Sequence, residues 1–342
     1  MTRKQGQSLF FSSRRRLVFA TAVLLVAACV LPFVVGNYRT FQLTLVLVYA
    51  IALLGLNILT GYNGQISLGH GAFYAIGAYA AAILMDQAAM PYWATIPVAG
   101  AVCLVVGFLF GLPALRLEGL YLALATFALA VSMPPILKAH FLERWTGGVQ
   151  GIVIVKPDPP AWLAAAGVKL NADQWLYFFV LAIAIVLFIV GWNLISGRVG
   201  RALIAIRDHH TAAEAMGINT AIYKSLAFGV SAMYTGIAGA LGAIAVQFVA
   251  PDSFTVFLSI TFLVGIVVGG LASLSGALYG ALFIQFVPNI ADELSKAAPW
   301  AVFGVFLIGF VYLMPTGVAG ALRALTRRRG GGKLLQPKEA LP

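Results

Sequence analysis

The sequence predicts an all-α fold, a polytopic transmembrane helix bundle with about ten spans (eight to ten). Its 342 residues are 61% hydrophobic and 10% charged, with a mean hydropathy of +0.95, whereas soluble domains average about 45–50% apolar and about 25% charged residues. The apolar residues also occur in runs of roughly 20, the length of helix that crosses a bilayer. This composition excludes a soluble enzyme, a disordered chain and a nucleic-acid-binding domain, because a soluble fold must keep a wetted surface.

Seven apolar runs are clear candidates for spans, and three are less uniform. The clear runs are Leu17–Val35, Phe41–Thr60, Ala94–Leu112, Leu120–Leu137, Trp175–Ile195, Ser225–Val249 and Pro299–Met314. The less uniform runs are Ser67–Met85, Thr255–Ala272 and Gly276–Ile290. The last of these is short and contains glycine, so a broken or re-entrant helix is expected there.

The Lys and Arg residues predict the orientation of the bundle. With ten spans and an internal N-terminus, sixteen of the 22 Lys and Arg residues lie on the cytoplasmic side and six lie outside. This bias follows the positive-inside rule, so both termini are predicted to be cytoplasmic. The chain then divides into a basic tail at 1–16, a transmembrane domain at 17–322 with an external loop at 138–174 and an internal loop at 196–224, and a second basic tail at 323–342.

No predicted span has an Asp, Glu, Lys or Arg residue near its centre. Carriers driven by protons or ions usually hold such groups at depth, because these groups bind the coupling ion. The energy for any transport is therefore expected to come from another subunit. Small residues also recur at helical spacing, as in Ala232, Gly236 and Ala240 and in Gly276 and Gly280, which predicts helices packed inside the bundle.

The first segment with functional character is a polar, glycine-rich break between two spans, Gly61–Tyr79. Such a break at membrane depth is tolerated where it is buried in protein or lines an aqueous path. The candidate residues of a translocation path are Asn57, Tyr62, Asn63, Gln65, Ser67, His70, Phe73 and Thr126. For each of them the alternative is a hydrogen bond from helix to helix, and a lone histidine is more often buried and satisfied than a ligand or a proton carrier.

The second segment is the internal loop, Gly197–Asn219. Four of its apolar residues recur near helical spacing: Ile206, Ala212, Ala213 and Met216. Asp208 is suited to cap a helix that starts there, and Gly217 fits the residue just past its end. A short helix with one apolar side at the membrane face can insert into a groove of another protein. The alternative is an amphipathic helix that lies on lipid.

Both segments resemble the same family. Gly61–Tyr79 resembles the G-Y-x-G-Q-x-S-L-G-H-x-A-F-x-x-x-G-A-Y block of the inner-membrane permeases of branched-chain amino acid ABC importers. Gly200–Asn219 is similar to that family's cytoplasmic loop, G-R-A-x-x-A-I-R-x-x-x-x-A-A-x-x-x-G-I-N. Leu120–Thr126 also fits, so the resemblance covers about Phe41 to Leu322, and two long ordered blocks rarely coincide by chance.

The resemblance implies a permease subunit of the bacterial inner membrane that forms the path for branched-chain or related amino acids. It implies that the internal loop is a coupling helix docked on an ATPase, with the residues Gly200, Arg201, Arg207, Asp208, Ala212, Ala213, Glu214 and Gly217. The implied partners are a second related permease, two cytoplasmic ATPase subunits, a periplasmic substrate-binding protein and the lipid bilayer. The His209–His210 pair departs from the acidic or polar residues common at that place.

No enzymatic activity, cofactor or metal is expected of the chain itself. It contains no G-x-x-x-x-G-K-[ST] phosphate loop, so ATP is expected to be hydrolysed by the partner subunits. Urea, amides or aromatic acids are alternative substrates of the same machinery. Two remoter alternatives are a proton-coupled carrier and an intramembrane serine protease in which Ser67 and His70, three residues apart, share one helix face.

Overall fold

The computed structural model describes residues 23, 25–115, 117, 119–161, 163, 170–294, 296 and 299–329, and these residues are mostly helical. In chain order the helices are α1 Leu25–Val34, α2 Asn37–Asn57, α3 His70–Gln87, α4 Tyr92–Ala114, α5 Leu120–Leu137, α6 His140–Thr146, α7 Ala172–Ser196, α8 Arg198–Asp208, α9 His210–Ala215, α10 Thr220–Val246, α11 Val256–Gly269, α12 Leu274–Leu294, α13 Pro299–Leu313 and α14 Gly317–Arg329. A π-helical turn, Ile58–Tyr62, extends α2, and a 3-10 turn, Pro251–Phe254, precedes α11. The short strands β1 Ile152–Val153 and β2 Phe248–Val249 pair antiparallel.

Six of the described helices are long and apolar enough to cross a membrane, so the expected ten spans (eight to ten) are not confirmed. They are α2 with its π-helical turn, α4, α5, α7, α10 and α12. Two of the remaining apolar helices are short, since α11 has 14 residues and α13 has 15. At 1.5 Å per residue, a helix of 14 residues is about 21 Å long, less than the roughly 30 Å of a hydrocarbon core. The predicted run Thr255–Ala272 is longer than α11 because it continues through the turns at both ends of the helix.

The broken helix expected at Gly276–Ile290 is not observed. The chain there forms one continuous helix, α12, of 21 residues. Its glycines do not interrupt the helix; they allow it to pack closely against α11. A Cβ atom at Gly280 would lie 2.1 Å from the carbonyl oxygen of Gly265, and one at Gly269 would lie 2.0 Å from the carbonyl oxygen of Gly276.

Helix α10 lies at the centre of the bundle, and 83% of its most apolar stretch of 18 residues is buried. The small residues of this helix let neighbouring backbones approach. A Cβ atom at Gly77 of α3 would lie 2.0 Å from the carbonyl oxygen of Gly236, and one at Gly239 would lie 2.0 Å from that of Tyr74. The packing predicted from the small-residue spacing is thereby confirmed.

The two ends of the bundle have different structures. At one end β1 meets β2, and Lys138 pairs with Asp252 at 2.6 Å; we call this the sheet end. At the other end lie α8 and α9, and we call this the loop end. Helix α14 also lies there, because the guanidinium of Arg323 donates to the hydroxyl of Ser273 at 2.5 Å, in the turn between α11 and α12. This helix continues past residue 322, where the second tail was expected to begin, while 1–16 and 330–342 lie outside the described residues.

Candidate functional site

The glycine-rich break begins where α2 widens into its π-helical turn. Two glycines are required here. A Cβ atom at Gly61 would lie 2.1 Å from Oδ1 of Asn57 and 2.5 Å from the backbone nitrogen of Ala272. Gly64 has φ of +77°, in the left-handed region that glycine adopts without steric cost. The chain then runs without regular structure to the start of α3 at His70.

Asn57 is a structural clamp within the bundle. Its amide nitrogen donates to the carbonyl oxygen of Ser273 at 2.8 Å, and its amide oxygen accepts from the backbone nitrogen of Ala272 at 2.9 Å. Irregular backbone at membrane depth needs such partners, since lipid supplies none. The side chain thus satisfies the turn between α11 and α12 instead of lining a path.

His70 is fully buried and uses both ring nitrogens to join helices. The hydroxyl of Ser231 donates to the carbonyl oxygen of Gly55 at 2.6 Å, so its oxygen accepts from Nε2 of His70 at 2.7 Å. Nδ1 forms a hydrogen bond with the hydroxyl of Ser67 at 2.9 Å. These bonds tie α3 to α10 and α2. Ser67 and His70 are in contact as the protease alternative requires, but Ser67 has no exposed surface with which to meet a substrate.

The remaining candidates around this cluster are also buried. Thr126 accepts from the backbone nitrogen of Leu68 at 2.9 Å and donates to the carbonyl oxygen of Ala123 at 3.0 Å. Phe73 lies in an aromatic cluster with Phe110 and Phe228. Tyr62 is 8% exposed. The helix-to-helix alternative therefore describes Asn57, Ser67, His70 and Thr126, while Phe73 belongs to the apolar core.

Asn63 and Gln65 differ from these neighbours. Asn63 is 3% exposed, and neither its amide nitrogen nor its amide oxygen has a hydrogen-bond partner among the described residues. The amide oxygen of Gln65, which is 9% exposed, also has none. Both residues line a small polar pocket of about 150 Å³.

The internal loop folds as two consecutive helices, α8 and α9. Gly200 permits the sharp turn out of α7, since a Cβ atom there would lie 1.9 Å from the carbonyl oxygen of Ile195. Leu203 and Ile206 anchor α8 in the bundle, whereas Arg201 is exposed. Helix α8 is therefore amphipathic, whereas the helix predicted from the sequence began only at Asp208.

Helix α9 starts later than the sequence suggested. Asp208 ends α8 and does not cap α9; His209, with extended backbone at φ −160°, precedes α9. The apolar pattern is also only partly inward, because Ala213 is buried while Met216 is 83% exposed. Gly217 has φ of +83° and ends α9 as expected. The expected capping role was wrong because the carboxylate of Asp208 is already engaged by its neighbour.

The other loop residues fix the approach to α10. Ala212 and Glu214 lie on the outer surface of α9, and the carboxylate of Glu214 accepts from the hydroxyl of Thr220 at 2.5 Å. The side chain of Asn219 accepts from the backbone nitrogen of Ile222 at 3.1 Å and thereby caps α10. The loop is thus braced against the central helix of the bundle.

Arg207 joins the two predicted segments. Its Nη1 atom donates to the carbonyl oxygen of Gly61 at 2.9 Å, and its Cγ atom would lie 2.7 Å from a Cβ atom placed on Gly64. Asp208 accepts from Nε and Nη2 of the same guanidinium at 3.0 and 2.8 Å. An exposed ion pair of this kind adds little stability, so its effect is to orient the guanidinium toward the break.

Sequence reasoning missed four polar partners: Ser231, Ser259, Ser273 and Arg323. The hydroxyl of Ser259 accepts from the backbone nitrogen of Gly71 at 2.8 Å, and thus anchors the start of α3 on α11. For Ser231 and Ser259, the available signal was a serine inside an otherwise apolar helix. That signal is weak, because a serine can also bond to the preceding turn of its own helix.

The fold and the site define a multi-pass helical membrane protein with a buried break tied to a surface loop, the class to which transport permeases belong. A family model described as "Branched-chain amino acid transport system / permease component" matches residues 38–315. The chain therefore belongs to this family and is a permease subunit of an ABC importer.

Curated relatives agree with this assignment. The chain is 30% identical to the high-affinity branched-chain amino acid transport system permease protein LivM of Escherichia coli and to LivM of Salmonella typhimurium, over 94% of this chain and 79% of each relative. It is 25% identical to BraD of Pseudomonas aeruginosa, over 80% of this chain and 91% of the relative. No solved structure matches the chain. Since these relatives are transport permeases, the protease and proton-coupled carrier alternatives have no support.

Proposed function

We propose that this chain forms part of the translocation path for branched-chain or related amino acids, and that its internal loop transmits the movement of an ATPase to the glycine-rich break. The observation that carries the proposal is the hydrogen bond from Arg207 of α8 to the carbonyl oxygen of Gly61. A movement of α8 changes the position of the break through this bond, because Asp208 holds the guanidinium in place.

The loop end also offers a docking point for the ATPase. Met216 at the end of α9 is 83% exposed, beside the exposed residues Ala212 and Glu214. Methionine adapts to irregular apolar surfaces, so this side chain fits a groove in a partner. The predicted coupling residues Gly200, Arg201, Ala213 and Gly217 shape or flank the same two helices.

The assembly proposed is a second related permease, two cytoplasmic ATPase subunits that hydrolyse ATP, and a periplasmic substrate-binding protein at the sheet end. Both termini then lie in the cytoplasm of a bacterial cell, with the loop end inside. The relatives are named for branched-chain amino acid transport, which favours leucine, isoleucine and valine over urea, amides or aromatic acids.

The test compares Arg207→Met with wild type in the reconstituted importer. ATP-driven uptake of leucine into proteoliposomes and ATP hydrolysis are measured together. Methionine keeps an aliphatic stem over Gly64 but cannot donate to Gly61. We expect the ratio of leucine taken up to ATP hydrolysed to fall at least tenfold.

Arg198→Met is the matched control, since Arg198 is an exposed arginine in the first turn of the same helix. Its ratio should equal that of wild type, and Arg207→Lys should retain part of the coupling because lysine can still donate. A wild-type ratio in Arg207→Met, in protein that elutes as the intact assembly, would contradict the proposed transmission.

A further inference from the structure

Helix α12 is the least apolar of the six candidate spans. One side of it packs on α11, where Gly280 lies against the backbone of Gly265. The opposite side is open among the described residues, since Leu282 is 38% exposed, Asn289 is exposed and Gln285 is half-buried. A helix suited to cross the membrane therefore presents an uncovered side that carries two amides.

The position of Gln285 along α12 decides what can cover this side. Gln285 lies nine residues before Leu294 at the sheet end of the helix, a distance of about 13 Å along the helix axis. Neither its amide nor that of Asn289 has a hydrogen-bond partner among the described residues. Hydrocarbon offers no hydrogen bonds, so an amide at this depth is unfavourable against lipid. The open side of α12 therefore calls for a neighbour that donates and accepts hydrogen bonds.

The residues on this side also have the spacing of a contact between two helices. Leu278, Leu282, Gln285 and Asn289 follow one another at intervals of four, three and four residues, which is heptad spacing. The two leucines make the half of this side toward the loop end apolar, which does not suit a water-filled path. Apolar residues with a few amides are typical of packed membrane helices, because the amides bond from helix to helix. The pattern thus favours a helix as the neighbour.

We propose that the open side of α12 is the surface on which the second permease of the assembly docks, through a helix with a hydrogen-bonding side chain at the depth of Gln285. The inference rests on the proposed function and assigns a surface to one of its partners. The ATPase subunits and the binding protein act outside the bilayer, so neither reaches an amide in the middle of a span. Because a glutamine amide both donates and accepts, an amide or a hydroxyl on the partner helix satisfies it.

Site-specific photo-cross-linking in the complete importer tests this surface. p-Benzoyl-L-phenylalanine replaces Leu282 in one variant and Leu278 in another, so that both amides stay in place. Val105 is the control position, because it is 54% exposed on another candidate span, α4. Mass spectrometry identifies the chains in each product. We expect a product with the second permease from at least one α12 position, in at least tenfold higher yield than from Val105.

Gln285→Leu combined with Asn289→Leu tests the amides themselves. The importer is solubilised in detergent, and the amount of second permease retained on the affinity-tagged chain is measured. We expect this amount to fall at least fivefold, because the leucines keep the apolar contact but cannot bond from helix to helix. Gln285→Asn alone should retain more than the double variant, since its shorter amide still donates and accepts. Gln150→Leu, at an exposed amide of the sheet end, should retain as much as wild type.

Three outcomes would overturn the surface: products from Leu282 and Leu278 that contain only lipid, this same chain or another subunit; an equal yield of the second permease product from Val105; or unchanged retention in the double variant. If the wild-type importer takes up leucine with ATP while neither α12 position cross-links to the second permease, this inference alone fails. If the cross-link forms but the complete importer transports no amino acid, the surface stands and the proposed function fails.

Discussion

At the scale of single residues, the polar groups in this apolar bundle fall into two kinds. Asn57, Ser67, His70 and Thr126 have partners in other elements and hold the irregular break in place. Asn63 and Gln65 have amide atoms without a hydrogen-bond partner among the described residues. A residue type alone does not separate the two kinds, since asparagine occurs in both. What separates them is whether a polar group of a neighbouring segment lies within hydrogen-bond distance.

Ser231→Ala tests the stabilising kind. The substitution leaves Nε2 of His70 without its partner in a fully buried site and removes the hydroxyl that donates to the carbonyl oxygen of Gly55. Since an unmade buried hydrogen bond costs about 1–3 kcal/mol, we expect the thermal unfolding midpoint in detergent to fall by several degrees.

Ser132→Ala is the control for this substitution. Ser132 is exposed and bonds only to the preceding turn of its own helix, at the carbonyl oxygen of Ala128. Its replacement should change the unfolding free energy by about 0.5 kcal/mol or less. Equal midpoints for Ser231→Ala and Ser132→Ala would show that the His70 network does not stabilise the bundle.

At the scale of elements, α8 and α9 act as one unit. Helix α8 is anchored by Leu203 and Ile206, whereas α9 projects outward and ends at Gly217. Two bonds brace the unit, from Arg207 to the break and from Thr220 to Glu214. We expect a change in the angle of α9 to reach the break through the backbone of α8.

Gly217→Val tests this element. At φ of +83° a β-branched residue is strained by roughly 1–3 kcal/mol. We therefore expect α9 to end differently and to lose its proposed contact with the ATPase. We expect ATP hydrolysis to continue while leucine uptake by the reconstituted importer falls at least fivefold.

Gly217→Asn is the matched variant, because asparagine tolerates the left-handed conformation. It should keep most of the coupled uptake. The open space around Gly217, with no atom within 4 Å of the position that a Cβ atom would take, removes steric clash as an explanation for a difference between the two. Equal uptake by both variants would speak against a role for the shape of this turn.

At the scale of the whole molecule, the sheet end and the loop end define opposite faces of the bundle. Helix α11, at 14 residues, connects the two ends although it is shorter than a typical span. It packs between α12 and α3, where protein rather than lipid surrounds much of it. A short helix is acceptable there, because protein groups satisfy the backbone of the turn that follows it, as Asn57 does.

Cysteine labelling tests the sidedness proposed for these ends. The native thiols of Cys29 and Cys103 are free and are first replaced by serine. A membrane-impermeant maleimide should then label Val155→Cys in intact cells, because Val155 is exposed at the sheet end, and should label Met216→Cys only after the cells are opened.

The same assay decides whether α11 crosses the membrane. Ser253→Cys before this helix should react in intact cells, and Leu271→Cys after it should react only in opened cells, since both positions are exposed. Labelling of both from one side would mean that α11 does not cross. Labelling of Val155→Cys and Met216→Cys from one side would overturn the proposed orientation.

The sequence by itself determined that this chain is a helical membrane bundle, that its central helix packs through small residues such as Gly236, and where a polar break and an internal loop interrupt its helices. Those features are local, since apolar run length, small-residue spacing and glycine punctuation are read within one segment. The number of full-length spans and the bounds of α9 were not determined, because in a membrane both lipid-facing and buried faces are apolar and the amphipathic signal is weak.

Only the tertiary structure decided which polar side chains have hydrogen-bond partners and which have none among the described residues. The partners of Asn57 and of His70 lie in distant parts of the chain, at Ser273 and Ser231. The bond from Arg207 to Gly61 likewise joins segments far apart in sequence. Hydrogen bonds depend on distance and direction in space, so no spacing along the chain could reveal them. The amide of Asn63, which has no partner among the described residues, could be recognised only once its neighbours were in place.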